Sequence, residues 1–175
     1  CQMGAITVDT RNKTHVHHTV RMQQWAAGRL DDLDKADLCG FIFKKDSPSS
    51  GLHRVKVYND KGQPVKNGRG LFAAAFTKRF PRIPVEEEGR LNDAALRENF
   101  IERVFALKRW RELLEVKPTM GSLVDFHTRE KLLLMAHSQK HYREMGRLVA
   151  TGKALDPADL YSTYETLLFK ALDLK

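Results

Sequence analysis

Ser47-Pro48-Ser49-Ser50-Gly51 places three hydroxyls in five residues, with Lys44 and Lys45 before them and Arg54 just after. Hydroxyls flanked by cations can bind an oxyanion or a phosphate. A plain turn is the competing reading, because Ser, Pro and Gly favour turns for local reasons. His137 and His141 are four apart and would share one helix face if that helix is unbroken. A two-histidine metal site also wants a third ligand, and none stands at a defining spacing. Lys140, Arg143 and Arg147 surround the pair, so a basic polar face is the preferred reading. Lys108, Arg109 and Arg111 flank Trp110 and could meet RNA phosphate, or form a solvated helix face. Glu86-Glu87-Glu88 could supply a general base or ion-pair partners; a solvated acidic loop is the expectation. His15, His17 and His18 are read as solvent-exposed.

These residues need elements to position them. Val16, Val20, Trp25, Ala26, Leu30 and Leu33 recur at helical spacing and predict a helix over 15–35. Leu38–Lys44 reads as a buried strand and Arg54–Tyr58 as a second, alternating one, so the serine run becomes the loop between them. Cys39, inside the first strand, is read as a small buried hydrophobe. Asn59–Gly62 is a turn, and Gly62–Gly70 a basic, Gly-rich loop. Leu71–Phe80 is helical on propensity, Pro81–Val85 extended, and Asp93–Glu115 a long helix capped by Asn92 or Asp93. Pro118–Gly121 marks a boundary. Beyond it only helices are expected: 122–138, 141–151 stopping at Gly152, and one opened by Asp156-Pro157 that runs to the last residue.

The fold class is therefore α/β, partial, with a small sheet and flanking helices, followed by an all-α segment. The expected domains are 1–117 and 118–175. The chain opens on Cys1 rather than Met and its last helix shows no C-cap, so it reads as a piece of a longer protein.

The 175 residues are 42% apolar and 30% charged, the balance of a globular protein rather than a disordered one. No apolar run is long enough for a membrane span, and no secretory signal is visible. Thirty Lys and Arg against 22 Asp and Glu leave +8, which favours polyanionic partners. From Lys117 onward the excess is only +2, so any RNA face there must rest on clustering rather than total charge. Two cysteines make no disulfide framework, which suits a reducing cytoplasm.

Longer motifs carry a resemblance. Leu38-Cys39-Gly40-Phe41-Ile42-Phe43-Lys44, Ser47-Pro48-Ser49-Ser50-Gly51 and Arg54-Val55-Lys56-Val57-Tyr58 resemble the last part of the thiouracil desulfurase (TudS-type) domain. Gly68–Phe72, Pro84–Leu91 and Arg97–Arg103 continue the likeness. Asp125–Arg129 and His137–Glu144 resemble the opening of the YbgA-type helical domain, and the two domains occur fused in this order.

The resemblance implies a desulfidase that removes sulfur from thiolated uracil, or in fused members from thiolated uridine in tRNA. In that family three cysteines hold a four-iron cluster with one open iron, and water replaces sulfur on the base. Ser47 matches the loop's first serine, a candidate catalytic hydroxyl. Ser50 stands where the family loop carries a cluster cysteine. Cys1 stands where a remnant of an upstream cysteine motif would, followed by Gln2-Met3 instead of Pro-Glu. The expectation is that this chain alone holds no iron–sulfur cluster.

Ser47 and Ser50 are expected to face one pocket near Lys44 or Lys45. Arg129, Lys140, His141, Arg143 and Arg147 are expected to form an RNA-contacting face. The competing reading pairs Arg129 and Arg143 with Asp125 and Glu144. The competing function is a non-catalytic RNA-contacting or structural relative without the cluster.

Overall fold

The computed structural model describes residues 18–59, 62–115 and 118–174. Two compact units divide the chain, Cys1–Phe100 and Ile101–Lys175, the division falling inside one helix. The first unit is α/β and the second all-helical. No helix among the described residues is long and apolar enough to cross a membrane.

The first unit opens with α1 (Thr19–Asp34), which buries Ala26 and Leu30, four residues apart. Positions 15–17 of the predicted helix lie outside the described residues. Strand β1 (Phe41–Phe43) follows, then β2 (Val55–Tyr58), β3 (Pro64–Gly68), α2 (Leu71–Arg79) and β4 (Val85–Glu87). β1 pairs with β4 in parallel, Phe41 opposite Val85 and Phe43 opposite Glu87. β2 pairs with β3 antiparallel. The core is aromatic: Phe41 and Phe43 lie 4.5 and 5.4 Å, centroid to centroid, from Phe76 of α2. An ion pair of 2.8 Å from Arg79 to Asp34 joins α2 to α1.

Four expectations for this unit are corrected. The first strand is shorter than Leu38–Lys44 and covered on one face only. Phe43 is buried while Ile42 is 52% exposed, because a strand alternates its side chains. Cys39 is half-buried in the bend before β1, its Sγ 3.8 Å from the Asp37 carbonyl. The stretch predicted as a loop over 62–70 contains β3, an edge strand that tolerates Pro64. The acidic run predicted as a solvated loop is β4 and its end, with Glu86 and Glu87 buried.

A 3₁₀ turn (Arg90–Asn92) leads to α3 (Ala94–Glu115), where Asp93 Oδ1 accepts from Leu96 N at 3.1 Å as the N-cap. The second unit contains α4 (Met120–Arg129), α5 (Lys131–His137), α6 (Gln139–Thr151) and α7 (Pro157–Leu172). A reciprocal Thr119–Ser122 pair caps α4, and Asp156 caps α7 ahead of Pro157. Trp110, Phe126, Leu134, Met145, Tyr164 and Leu168 form its core. Trp110 stacks on Tyr164 at 5.5 Å and donates Nε1–H to Glu165 at 3.0 Å.

The single helix predicted over 122–138 is two helices. Glu130 stands between them at ψ 0°, its buried carboxylate held by both Arg109 Nε (2.6 Å) and Nη2 (2.7 Å). A second break at Ser138 puts His137 on α5 and His141 on α6, so they do not share one helix face. The last helix stops at Leu172, where the Asp173 N–H bonds back to Phe169 and Ala171.

Candidate functional site

β1 ends at Phe43 and the chain enters the serine loop through Asp46, which has φ 56°. The loop leaves through Arg54, at φ 54°. Two non-glycine residues in the left-handed region cost of order 1–3 kcal/mol each, and such positions gather at functional sites. Between them the backbone folds back on itself, Gly51 N bonding to Ser47 O at 2.8 Å.

Three structures hold this loop from outside. The first is the start of α2, whose cap, Gly70, has no side chain to offer. Its free N–H groups are satisfied by loop carbonyls instead: Leu71 by Pro48, and Phe72 and Ala73 by Ser49, at 3.3, 2.8 and 3.2 Å. The approach is so close that a Cβ at Gly70 would lie 2.3 Å from Ser49 O. The second is Glu87, at the end of β4. Its buried carboxylate accepts from Leu52 N at 2.8 Å and His53 N at 3.0 Å. The third is Arg69, which donates Nε–H to Leu52 O at 3.1 Å.

Each member of the acidic triplet thus has its own partners. Glu86 Oε1 binds Arg90 Nε at 2.7 Å. Glu88 takes Lys44 Nζ at 3.0 Å and Lys45 N at 2.7 Å. The Lys44 contact, and then the Lys45 N–H, hold the Glu88 carboxyl below its ordinary range. Burial of the imidazole lowers the His53 pKa, against the pull of Glu87.

Among the predicted site residues, Ser47 and Ser50 are brought together: Ser50 N donates to Ser47 Oγ at 3.2 Å. Ser47 Oγ also lies 3.1 Å from Ser49 Oγ. Lys44 turns to Glu88, and the Lys45 stem passes the Cα of Gly89. Cys1 lies outside the described residues. In the second unit Lys140, Arg143 and Arg147 are exposed on one side of α6, with His141 half-buried and its Nδ1 2.8 Å from Ser138 Oγ. Among the described residues these three cations make no ion pair, and neither Arg129–Asp125 nor Arg143–Glu144 forms. His137 Nε2 is committed to Glu102 at 2.9 Å.

Sequence reasoning missed Glu87 as the loop's anchor. The signal was present: an acidic residue directly after an apolar, proline-led stretch that could enter a sheet. It also missed Trp25, which lines a pocket with His18, Arg21, Met22 and Ser49.

Among the described residues the donor set does not fit an iron–sulfur cluster. The single thiol among the described residues is Cys39, ahead of β1 and turned toward a backbone carbonyl. The loop contributes alcohols, which are poor partners for iron beside thiolate. No group of three or more His, Cys, Asp and Glu able to hold a metal ion occurs among the described residues.

Comparison with known proteins places both units. The family model described as 2-thiouracil desulfurase matches residues 2–88. The model described as a protein of unknown function, DUF1722, matches residues 131–175. The protein described as uncharacterized protein YbgA, from Escherichia coli strain K12, is 48% identical over 48 residues. That match covers 27% of this chain and 28% of the relative. No solved structure matches. The chain belongs to the 2-thiouracil desulfurase family over its first half, fused to a DUF1722, YbgA-like segment at its end.

Proposed function

We propose that the Ser47–Gly51 loop is the substrate-facing part of a desulfidase site. Its substrate is a thiolated uracil, free or as thiolated uridine in tRNA. The observation that carries this reading is the 2-thiouracil desulfurase match falling on a loop at the C-terminal ends of a parallel strand pair. Open α/β sheets bind ligands at those ends.

The reaction replaces sulfur by oxygen without net oxidation. Water forms the new C–O bond, the C–S bond breaks, and sulfur leaves as hydrogen sulfide with the two protons of the water. Ser47 Oγ already accepts from the Ser50 N–H, so its own proton is available to Ser49 or to the thiocarbonyl sulfur. Glu87 is occupied by two backbone donors and acts by position, holding the loop rather than moving protons.

Ser50, an alcohol at the position of a cluster cysteine, favours a second reading, in which the loop binds the thiolated base without turning it over. One experiment separates the two. Sulfide release from 2-thiouracil and its binding are measured in the protein and in Ser47→Ala. Release that drops at least tenfold in the variant supports the enzyme. Binding without release, weakened by the variant, supports the non-catalytic relative. Release and binding both indifferent to Ser47 would overturn both.

The exposed cations of α6 supply the RNA side of the proposal. Lys140, Arg143 and Arg147 contact phosphate, with His141 at their edge. Replacing the three by Ala lowers the slope of log affinity for tRNA against log salt by about 2, since each phosphate contact contributes roughly 0.7–0.9. An unchanged slope removes this face from RNA binding.

A further inference from the structure

We propose that the pocket between α3 and the break from α4 to α5 binds a small amphipathic monocarboxylate. The carboxylate lies on Arg129 and the apolar body against Phe105. The site belongs wholly to the helical unit and does not rest on the desulfidase reading.

The pocket measures about 450 Å³, within the range of small-molecule sites. Ile101, Glu102, Phe105 and Arg109 of α3 line it, with Arg129, Glu130 and Leu133 from the α4–α5 segment. Ile101, Phe105 and Arg109 are spaced by four and so share one face of α3. Arg129 and Leu133 stand on either side of Glu130, where the chain passes from α4 to α5. The apolar walls are not consumed by the core of the unit: Phe105 is 58% exposed and Ile101 39%, while Leu133 packs partly against that core. Apolar surface gathered in a concavity and rimmed by charge is the kind that receives a ligand.

The charged groups decide what that ligand carries. Glu102 is engaged by His137 Nε2 at 2.9 Å. Glu130 is engaged by Arg109 Nε and Nη2 at 2.6 and 2.7 Å. Both carboxylates of the lining are thus already met by donors, and Arg109 has committed its fork to one of them. Arg129 is exposed, and its side chain makes no ion pair or hydrogen bond among the described residues. The sequence groups Arg129 with the cations of α6; the structure sets it in a pocket with Phe105 of α3.

A guanidinium offers two parallel N–H donors, the geometry that matches a carboxylate. A neutral apolar ligand would leave those donors unused. A phosphate monoester, close to doubly charged, would be repelled by Glu102 and Glu130 in the same lining. A single carboxylate on an apolar body meets the free guanidinium, covers Phe105 and brings no surplus negative charge.

The test is isothermal titration calorimetry of the full chain with four probes: 2-naphthoate, its neutral amide 2-naphthamide, 2-naphthyl phosphate and decanoate. 2-Naphthoate should bind at least tenfold more tightly than 2-naphthamide, as expected for hydrogen bonds between charged groups. Arg129→Gln should remove that margin and leave the affinity for the amide unchanged. Arg129→Lys keeps the charge without the fork and should retain only part of the margin. Phe105→Ala should weaken both ligands about tenfold, and Phe105→Leu should recover part of the loss. Neither side chain is buried, so the unfolding midpoints of these variants should stay with that of the parent, which separates lost binding from lost fold. Tighter binding of decanoate than of 2-naphthoate identifies the apolar body as an aliphatic chain; the reverse identifies a planar ring stacked on Phe105. Equal affinity for acid and amide, a margin that survives Arg129→Gln, or tighter binding of 2-naphthyl phosphate than of 2-naphthoate overturns the proposal. So does an Arg129→Gln variant that lowers the salt slope of tRNA binding and leaves 2-naphthoate affinity unchanged, which returns Arg129 to the RNA face.

Discussion

Replacing Arg109 by Ala should destabilise the helical unit by about 3 kcal/mol, the low end for breaking a buried ion pair. Glu130 is 4% exposed and both its oxygens are held by Arg109, at 2.6 and 2.7 Å. Arg109 itself is partly exposed, so water regains some access when it is removed, which keeps the cost from the upper end. The hydrogen bonds to Glu130 are also what raises the Arg109 pKa most. What the substitution strands is the carboxylate, left without a counter-charge at the break between α4 and α5. Nearby Tyr164 Oη is already pushed well above its ordinary pKa by burial, and secondarily by Glu130.

Urea unfolding followed by Trp110 emission in a Trp25→Phe background reads the effect. With a slope of about 1–3 kcal/mol per molar urea, the midpoint should fall by roughly 1 M or more. Glu130→Gln, which keeps an acceptor for Arg109 and removes the buried charge, should cost less than Arg109→Ala. A loss below about 0.5 kcal/mol in Arg109→Ala would mean that the pair behaves like a solvated surface bridge.

Glu87→Ala should release the serine loop. Glu87 is 3% exposed, and the N–H groups of Leu52 and His53 have its Oε1 as their acceptor. Leu52 is itself buried, so removing the carboxylate leaves a buried donor without a partner, at about 1–3 kcal/mol. The strain at Asp46 and Arg54 then lacks one of the contacts that hold it, and the loop should open locally before the unit unfolds. Hydrogen exchange at Leu52 and His53 should accelerate at least tenfold. Sulfide release or thiouracil binding should fall as far as in Ser47→Ala, since a displacement near 1 Å can cost about a hundredfold. Glu87→Gln retains an acceptor oxygen and should recover part of both. Unchanged exchange at Leu52 and His53 would show that the α2 and Arg69 contacts hold the loop without Glu87.

Much of the framework was legible because it is written in local chemistry. The apolar spacing of α1, α3 and α7, the Asp156-Pro157 start and the Ser-Pro-Gly composition of the 47–51 loop depend on neighbours a few residues away. The helix over 122–138 was misread for the same reason. Its periodicity continues through Glu130, and what marks the break is Arg109, on α3, 21 residues back in sequence. The condition on the histidine pair, an unbroken helix, is not met for a similar reason: Ser138 caps α6 through His141 N at 3.3 Å and divides the spacing.

Where the hydroxyls cluster, which stretches are helical, and the family motifs in both units can all be read from residue order alone. What those residues face depends on the packing of distant segments. A run of glutamates is solvated or buried according to whether donors arrive to meet it. Here Leu52 and His53, 35 and 34 residues from Glu87, arrive only because β1 and β4 pair in parallel. Trp25 stands beside Ser49 only because α1 and the loop are both laid against α2, through Phe72. Local periodicity records the first kind of fact. The second depends on contacts between distant segments, whose free energy no short window of sequence contains.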